Sequence, residues 1–133
     1  MSSTVDDEVA VLAANRAFYE AFESVDLAAL ARVWEHSDRV VCTHPGWPIL
    51  RGWPAVYESW RAILEGGGAL QFILTDVRAD VQGDVGWVSL DENLIAPTGA
   101  SGTVAALNLF ARAGQGSWLL IAHHGSSVVR QLV

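Results

Sequence analysis

Apolar residues return at every third or fourth position along the first part of the chain: Val11, Ala14, Phe18, Phe22 and Val25. This spacing lines one side of a helix of about 20 residues. Thr4 followed by Asp7 has the form of a capping box, and Asp6, Asp7 and Glu8 complement the positive end of the helix dipole. Asp26 fits the N-cap of a second helix, with Leu27, Leu30, Ala31 and Trp34 on its inner stripe. The β-branched run from Arg39 to His44 predicts a strand, and Pro45-Gly46-Trp47-Pro48 predicts a loop. Gly52-Trp53-Pro54 opens a third helix with proline near its first position. Val56, Trp60, Ile63 and Leu64 form its apolar side, and Gly66-Gly67-Gly68 closes it.

Beyond Gly68 the period changes from helical to alternating. Four strands are predicted over residues 70–81, 85–96, 103–113 and 117–128, joined by turn signals at Gly83-Asp84, residues 97–102 and Gly114-Gln115-Gly116. Such short links make neighbouring strands antiparallel. Helices first and strands afterwards predict an α+β fold, one domain over residues 1–133, with the helices on one face of a curved antiparallel sheet. The segment 117–128 is apolar on both parities, with Leu119 and Ile121 on one and Trp118, Leu120 and Ala122 on the other. A sheet with one solvated face should alternate apolar with polar, so the outer face is expected to meet a second copy of the chain in a homodimer. His123 and His124 are adjacent and therefore point to opposite faces. Parity puts His124 inside with Trp118 and Leu120, and His123 outside.

Composition narrows the function classes. Of 133 residues, 51% are hydrophobic and 17% charged, which describes a folded chain rather than a disordered one. Fifteen acidic residues stand against eight basic ones, all arginine, for a net charge of -7. That balance disfavours nucleic acid and anionic membrane as partners. A single cysteine, Cys42, leaves no pair for a disulfide within the chain and no Cys-based zinc site. The acidic start does not have the form of a signal peptide, and no apolar run reaches the roughly 18 residues that span a bilayer. A cytoplasmic protein is the expectation.

Polar residues on apolar parities are the candidate chemistry. Glu92 shares its strand face with Val88, Leu90 and Leu94. A buried carboxylate needs a partner, so Glu92 either forms a structural ion pair, with His124 or an inward arginine, or serves as an acid or base. Asn15 lies within the apolar stripe of the first helix, where it either projects into a cavity or caps a neighbouring backbone group. Trp34 and Trp60 sit at core spacing; Trp47 and Trp53 flank the Pro/Gly loop and either roof an apolar pocket or anchor the loop. His44, His123, His124 and Glu92 do not form a recognised ligand spacing, Gly66-Gly67-Gly68 lacks the lysine and hydroxyl of a phosphate loop, and no nucleophile elbow is present. Neither a metal nor an organic cofactor is expected.

Several segments together are familiar: Phe18-Tyr19-Glu20-Ala21-Phe22, Asp26-Leu27-Ala28-Ala29-Leu30 with Trp34, Val41-Cys42-Thr43-His44-Pro45-Gly46-Trp47, and Arg51-Gly52-Trp53-Pro54-Ala55-Val56 with Ser59-Trp60. With Asn108-Leu109-Phe110 and the run from Trp118 to Ser126, they span residues from about 8 to 128 and resemble a SnoaL-like protein of the nuclear transport factor 2-like superfamily, which includes ketosteroid isomerase. The resemblance implies a cone of three helices on a strongly curved sheet with a pocket at its wide end. It also implies a range of roles: isomerases, polyketide cyclases, dehydratases, epoxide hydrolases and non-catalytic binding or assembly domains.

By that resemblance His44, before Pro45, stands where the isomerase has its catalytic carboxylate. The isomerase tyrosine falls on Phe18, with Tyr19 one position along and turned toward the pocket edge; its neutral aspartic acid falls on Asn108. Imidazole suits proton transfer at neutral pH, and an amide donates a hydrogen bond without any pKa tuning. The expected site is therefore His44 as base, Asn108 and Tyr19 as donors, and Glu92 or His124 as the second acid or base. Asn15, Phe18, Trp47, Trp53 and Trp60 would line a pocket for a small apolar molecule. The bland alternative for His44 is a buried histidine that fixes the strand-to-loop corner. For the whole chain it is a non-catalytic dimeric binding or scaffold domain.

Overall fold

The computed structural model describes residues 4–67, 70–114 and 116–129. In chain order the elements are α1 (Thr4–Glu23), α2 (Leu27–Val33), β1 (Val41–Thr43), β2 (Leu50–Arg51), α3 (Trp53–Gly66), β3 (Gln71–Gln82), β4 (Val85–Ile95), β5 (Ser101–Arg112) and β6 (Trp118–Ser127). The strands form one sheet in the order β2-β1-β6-β5-β4-β3. The β3-β4-β5-β6 meander is antiparallel, whereas β1 joins β6 in parallel, Cys42 opposite His123. Three helices on one sheet give the expected α+β cone. The two-residue β2 is too short to leave a pattern in the sequence, and the strand expected over 39–44 contracts to three residues.

Local chemistry explains most boundaries. The Asp26 carboxylate accepts from the Ala29 amide at 3.0 Å and starts α2. Val25, expected on the stripe of the first helix, lies beyond its end in a left-handed conformation (φ 54°) and is 39% exposed. Gly52, at φ +85°, caps α3 in a backbone region that side chains rarely adopt. The helix runs to Gly66 with Gly67 as its cap, and Gly68 lies outside the described residues, as does Gln115 of the last turn. Thr4 and Asp7 do not form a capping box: Asp7 is buried and takes a forked pair of hydrogen bonds from Arg112, at 3.0 and 3.1 Å. Arg112 also binds Asp84 and stacks on Trp118, so the first turn of α1 is tied to the far end of the sheet.

Two single-residue bulges set which side chains face the helices. In β3 the register slips between Thr75 and Arg78, with Asp76 at φ 52°, and the inward parity passes from Phe72 and Leu74 to Ala79 and Val81. In β6 it slips where Leu109–Phe110 oppose Ala122–Leu120, leaving Ile121 as the extra residue. Trp118 and Leu120 are inward before the slip, and His123 and Gly125 after it. His124 is therefore on the outer face and exposed, and His123 is buried. Strict alternation reversed the two.

The α1 helix closes onto the sheet at Gly86. A methyl group there would lie 2.7 Å from Val11 Cγ2, on a stiff β-branched side chain that is itself fully buried. Gly86→Ala is expected to cost about 1–3 kcal/mol of stability, read from the urea midpoint. Gly102→Ala, whose new methyl meets nothing within 4 Å, should change it by less than about 0.5 kcal/mol. Equal midpoints for the two variants would contradict this account of the helix–sheet contact.

Candidate functional site

Four elements each send a polar side chain into the apolar interior: Asn15 and Tyr19 from α1, Glu92 from β4, Asn108 from β5 and His123 from β6. All five are at most 4% exposed. Their hydrogen bonds have one consistent direction. An amide oxygen only accepts, so His123 Nδ1 carries the hydrogen it shares with Asn108 Oδ1, at 2.5 Å. The Asn108 amide donates one hydrogen to Asn15 Oδ1 at 2.9 Å and the other to Tyr19 Oη at 3.0 Å. Tyr19 in turn donates to Glu92 Oε2 at 2.5 Å. The string ends on a carboxyl group at one side and on an imidazole with a free Nε2 lone pair at the other.

His44 follows β1 and is buried beside this string, its ring 6.3 Å from that of His123. Ser59 gives its only hydrogen to the Val56 carbonyl at 2.7 Å, so its oxygen accepts from His44 Nε2, at 2.9 Å. That bond leaves His44 Nδ1 unprotonated, with the Cys42 thiol sulfur 3.9 Å away as its neighbour. Trp60 meets His44 edge-on, Phe18 and Trp60 lie tilted against His123, Phe22 packs edge-on against Phe18 and Trp60, and Trp47, 41% exposed, covers His44 from outside.

Burial governs the charge states. It pushes the Glu92 carboxyl up to about 7, against a smaller opposing effect of the Tyr19 hydrogen bond. The Tyr19 hydroxyl is raised beyond its ordinary value, by burial first and the neighbouring carboxylate second. Burial also lowers His44 to about 4, and His123 to about 3 with help from the other two imidazoles. At neutral pH both inner histidines are neutral, and Glu92 is poised at its titration point.

Of the expected site residues, Asn15, Tyr19, Glu92 and Asn108 are bonded into one string, with Phe18 and Trp60 as walls and His44 adjoining. Tyr19 is deep inside rather than at an edge, because a strongly curved sheet wraps the side of α1 one position round from Phe18. Glu92 pairs with Tyr19, not with His124 or an arginine. Trp53 stands away from the cluster, against Trp34 and stacked on His36. His123 was expected on the outer face, and Ser59 entered only as part of the Ser59-Trp60 motif. Ser59 leaves one trace, a hydroxyl on the buried stripe of α3 between Val56 and Trp60; His123 leaves none, because the bulge hides its parity. Among the described residues, hollows open on the surface at two places away from the cluster. One of about 770 Å³ includes Ile73, Asn93, Leu94 and Thr103 in its lining, the other of about 330 Å³ lies between α1 and α2, and neither is lined by the cluster. Among the described residues no group of three potential ligands is placed to hold a metal, and no helix is long and apolar enough to cross a membrane.

Comparison with known proteins agrees with this architecture. The SnoaL-like domain model matches residues 11–130. A crystal structure from Streptomyces avermitilis, described as a candidate dehydratase of the nuclear transport factor 2-like family, is 34% identical, with 96% of this chain and all of that one aligned at a TM-score of 0.88. A protein from Thiobacillus denitrificans, described as a candidate association domain of calcium/calmodulin-dependent protein kinase type II, is 32% identical over 88% of this chain and 94% of that one, TM-score 0.80. The F-box protein SKIP8 of Arabidopsis thaliana is 27% identical over 117 residues, 88% of this chain; the chain spans about half the length of that curated relative, 49%.

The shifted groups make stability depend on pH in two opposed ways. Glu92, raised from 4.5 to about 7, contributes stability that is complete below pH 4.5 and is lost as pH rises through 7. His44 and His123, lowered from 6.5, contribute stability that is complete above pH 6.5 and is lost as pH falls toward 4 and 3. Glu92→Gln removes only the first effect. Between pH 4.5 and 7 the wild type is expected to lose up to about 3 kcal/mol relative to this variant, in urea melts across that range. A constant difference would mean that Glu92 is ionised throughout.

Proposed function

The chain belongs to the SnoaL-like domain family, and from that footing we propose that it is a cofactor-independent acid–base enzyme of the dehydratase–isomerase kind, acting on a small, largely apolar, carbonyl-bearing molecule. The observation that carries this reading is a carboxyl group held protonated up to about pH 7 and joined by oriented hydrogen bonds to the neutral His123 imidazole, with neutral His44 beside them in the same apolar interior. The candidate dehydratase from Streptomyces avermitilis lends support from a relative of similar length.

In dehydration of a β-hydroxy ketone, His44 Nδ1 takes the hydrogen next to the carbonyl, and the electron pair of that C–H bond becomes the new C=C bond. The carbonyl oxygen takes over the hydrogens that Tyr19 gives to Glu92 and Asn108 gives to Asn15 in the free chain, and accepts them as charge builds there. Glu92 gives its proton to the leaving hydroxyl, the C–O bond breaks, and water departs. The proton on His44 then returns to Glu92 to restore the starting state. The base must be neutral and the acid protonated, so activity is confined between the two titrations.

A second reading, a dimeric binding or assembly domain without catalysis, is favoured by one observation. The cluster satisfies much of its own hydrogen bonding and is closed over by aromatic rings, and the Thiobacillus relative is described as an association domain. Both readings include a homodimer through the outer face of β1, β6 and β5. Val41, Thr43, Ala105, Leu107, Leu109, Leu119 and Ala122 give that face no formal charge in a chain of net charge -7, so two copies meet there with least repulsion. The acidic surface disfavours nucleic acid and anionic membrane, and the lone buried Cys42 suits a reducing, cytoplasmic setting.

The aldol of benzaldehyde and acetone is a suitable substrate, since its dehydration yields the strongly absorbing benzalacetone. The wild type is expected to accelerate the reaction, with kcat/KM bell-shaped between limbs near pH 4 and 7. Glu92→Gln should lose at least about a hundredfold. Absence of turnover on this and related β-hydroxy ketones, in a preparation that sediments at twice the mass of one chain, would sink the enzyme and leave the assembly reading. Sedimentation at the mass of one chain would sink the dimer in both.

A further inference from the structure

Trp60 is 1% exposed, and its indole Nε1–H meets no acceptor. Native interiors rarely leave a buried donor unpaired, so each such group points to something that completes it. Trp34 and Trp118 share the lack, but Trp34 faces Trp53 and Trp118 lies under the Arg112 guanidinium, both away from the buried imidazoles. Trp60 differs in its surroundings. Its ring lies 4.7 Å from His44 and 5.8 Å from His123, with Phe18 and Phe22 at 5.5 and 5.1 Å. An open donor thus stands beside two buried imidazoles, within apolar walls.

The charge inventory of the interior limits what can fill that position. Among the described residues the buried polar side chains include Asp7, Asn15, Tyr19, His44, Ser59, Glu92, Asn108 and His123, with no arginine. An anionic ligand would be desolvated without a countercharge, next to a carboxyl group, which is strongly unfavourable. An uncharged oxygen acceptor carries no such penalty. We propose that the Trp60 indole N–H is a ligand-binding donor of this interior, that it takes the oxygen of an uncharged carbonyl compound, and that the site selects against carboxylates and phosphates. The proposal rests on the reading of the cluster as a small-molecule site and adds to it a donor and a substrate charge.

Three probes of nearly one shape separate the possibilities: cyclohexanone, cyclohexane and cyclohexanecarboxylate. They are titrated into the full chain with nitrogen-labelled tryptophan, and Trp60→Phe assigns the Trp60 indole resonance while keeping an aromatic ring in place. Cyclohexanone should move that resonance downfield and cyclohexane should not. Cyclohexanecarboxylate should bind at least about tenfold more weakly than the ketone, and Trp60→Phe should weaken the ketone by about fivefold while leaving cyclohexane unchanged. Ketone binding with an unmoved indole overturns the donor assignment and leaves the small-molecule site standing. Equal affinity for the carboxylate overturns the charge selection. Binding of none of the three, read as no change in any indole resonance or in thermal midpoint, defeats both this proposal and the reading beneath it. If Trp60→Phe fails to fold, the indole that responds in the wild type is identified through its cross-relaxation with the Phe18 and Phe22 rings, and its shift decides.

Discussion

A carboxyl group on the inward parity of a central strand has to keep its proton or find a donor, and Glu92 does both. Its strand face is otherwise Val88, Leu90 and Leu94, and water is excluded. Tyr19 reaches it from α1, and the same hydroxyl is held by Asn108, which is held by Asn15 and His123. Four elements must therefore stand at fixed mutual distances for the string to close. A half-satisfied network would cost more than an apolar core, which makes the string a check on the register of α1 against the sheet. The glycine at 86, against Val11, and the Arg112–Asp7 pair set that register from two points one turn apart in the first half of the helix.

The electrostatic design is a neutral interior inside an acidic shell. Burial favours the uncharged forms of Glu92, Tyr19, His44 and His123 together, so the cluster carries little net charge near neutral pH although the chain carries -7. Placing several titratable groups in a core of this size weakens the fold, and such groups gather where proton transfer is useful. The Ser59 hydroxyl extends the design: by fixing one nitrogen of His44 as a donor it frees the other as a base.

Much of this was legible in the sequence, and the failures have physical causes. The three helices and four long strands follow from the change of period at Gly68, because each element hides one face and repeats its apolar residues accordingly. Glu92 and Asn15 announced themselves as polar residues on apolar stripes. His123 did not. The Leu119–Ala122 run is apolar throughout and conceals the extra residue at Ile121, after which inside and outside exchange. In β3 a like bulge is visible, since Phe72 and Leu74 give way to Ala79 and Val81 on the other parity. The Asp7–Arg112 pair joins residues 105 apart in sequence, and local capping rules had claimed Asp7 first. Trp53, left open between roofing a pocket and anchoring the loop, turns its ring to Trp34 and His36 at the end of α2.

The central claim is that the Glu92 carboxyl is protonated inside the folded chain near neutral pH. Carbon NMR of glutamate labelled at the side-chain carboxyl, compared with Glu92→Gln to identify the resonance, follows that proton directly. A midpoint near 7, well above the ordinary carboxyl value of 4.5, is the expected result. A Glu92 carbon that titrates at the ordinary carboxyl value of 4.5 would mean the charged form is stable in the interior and that no acid is held there for chemistry.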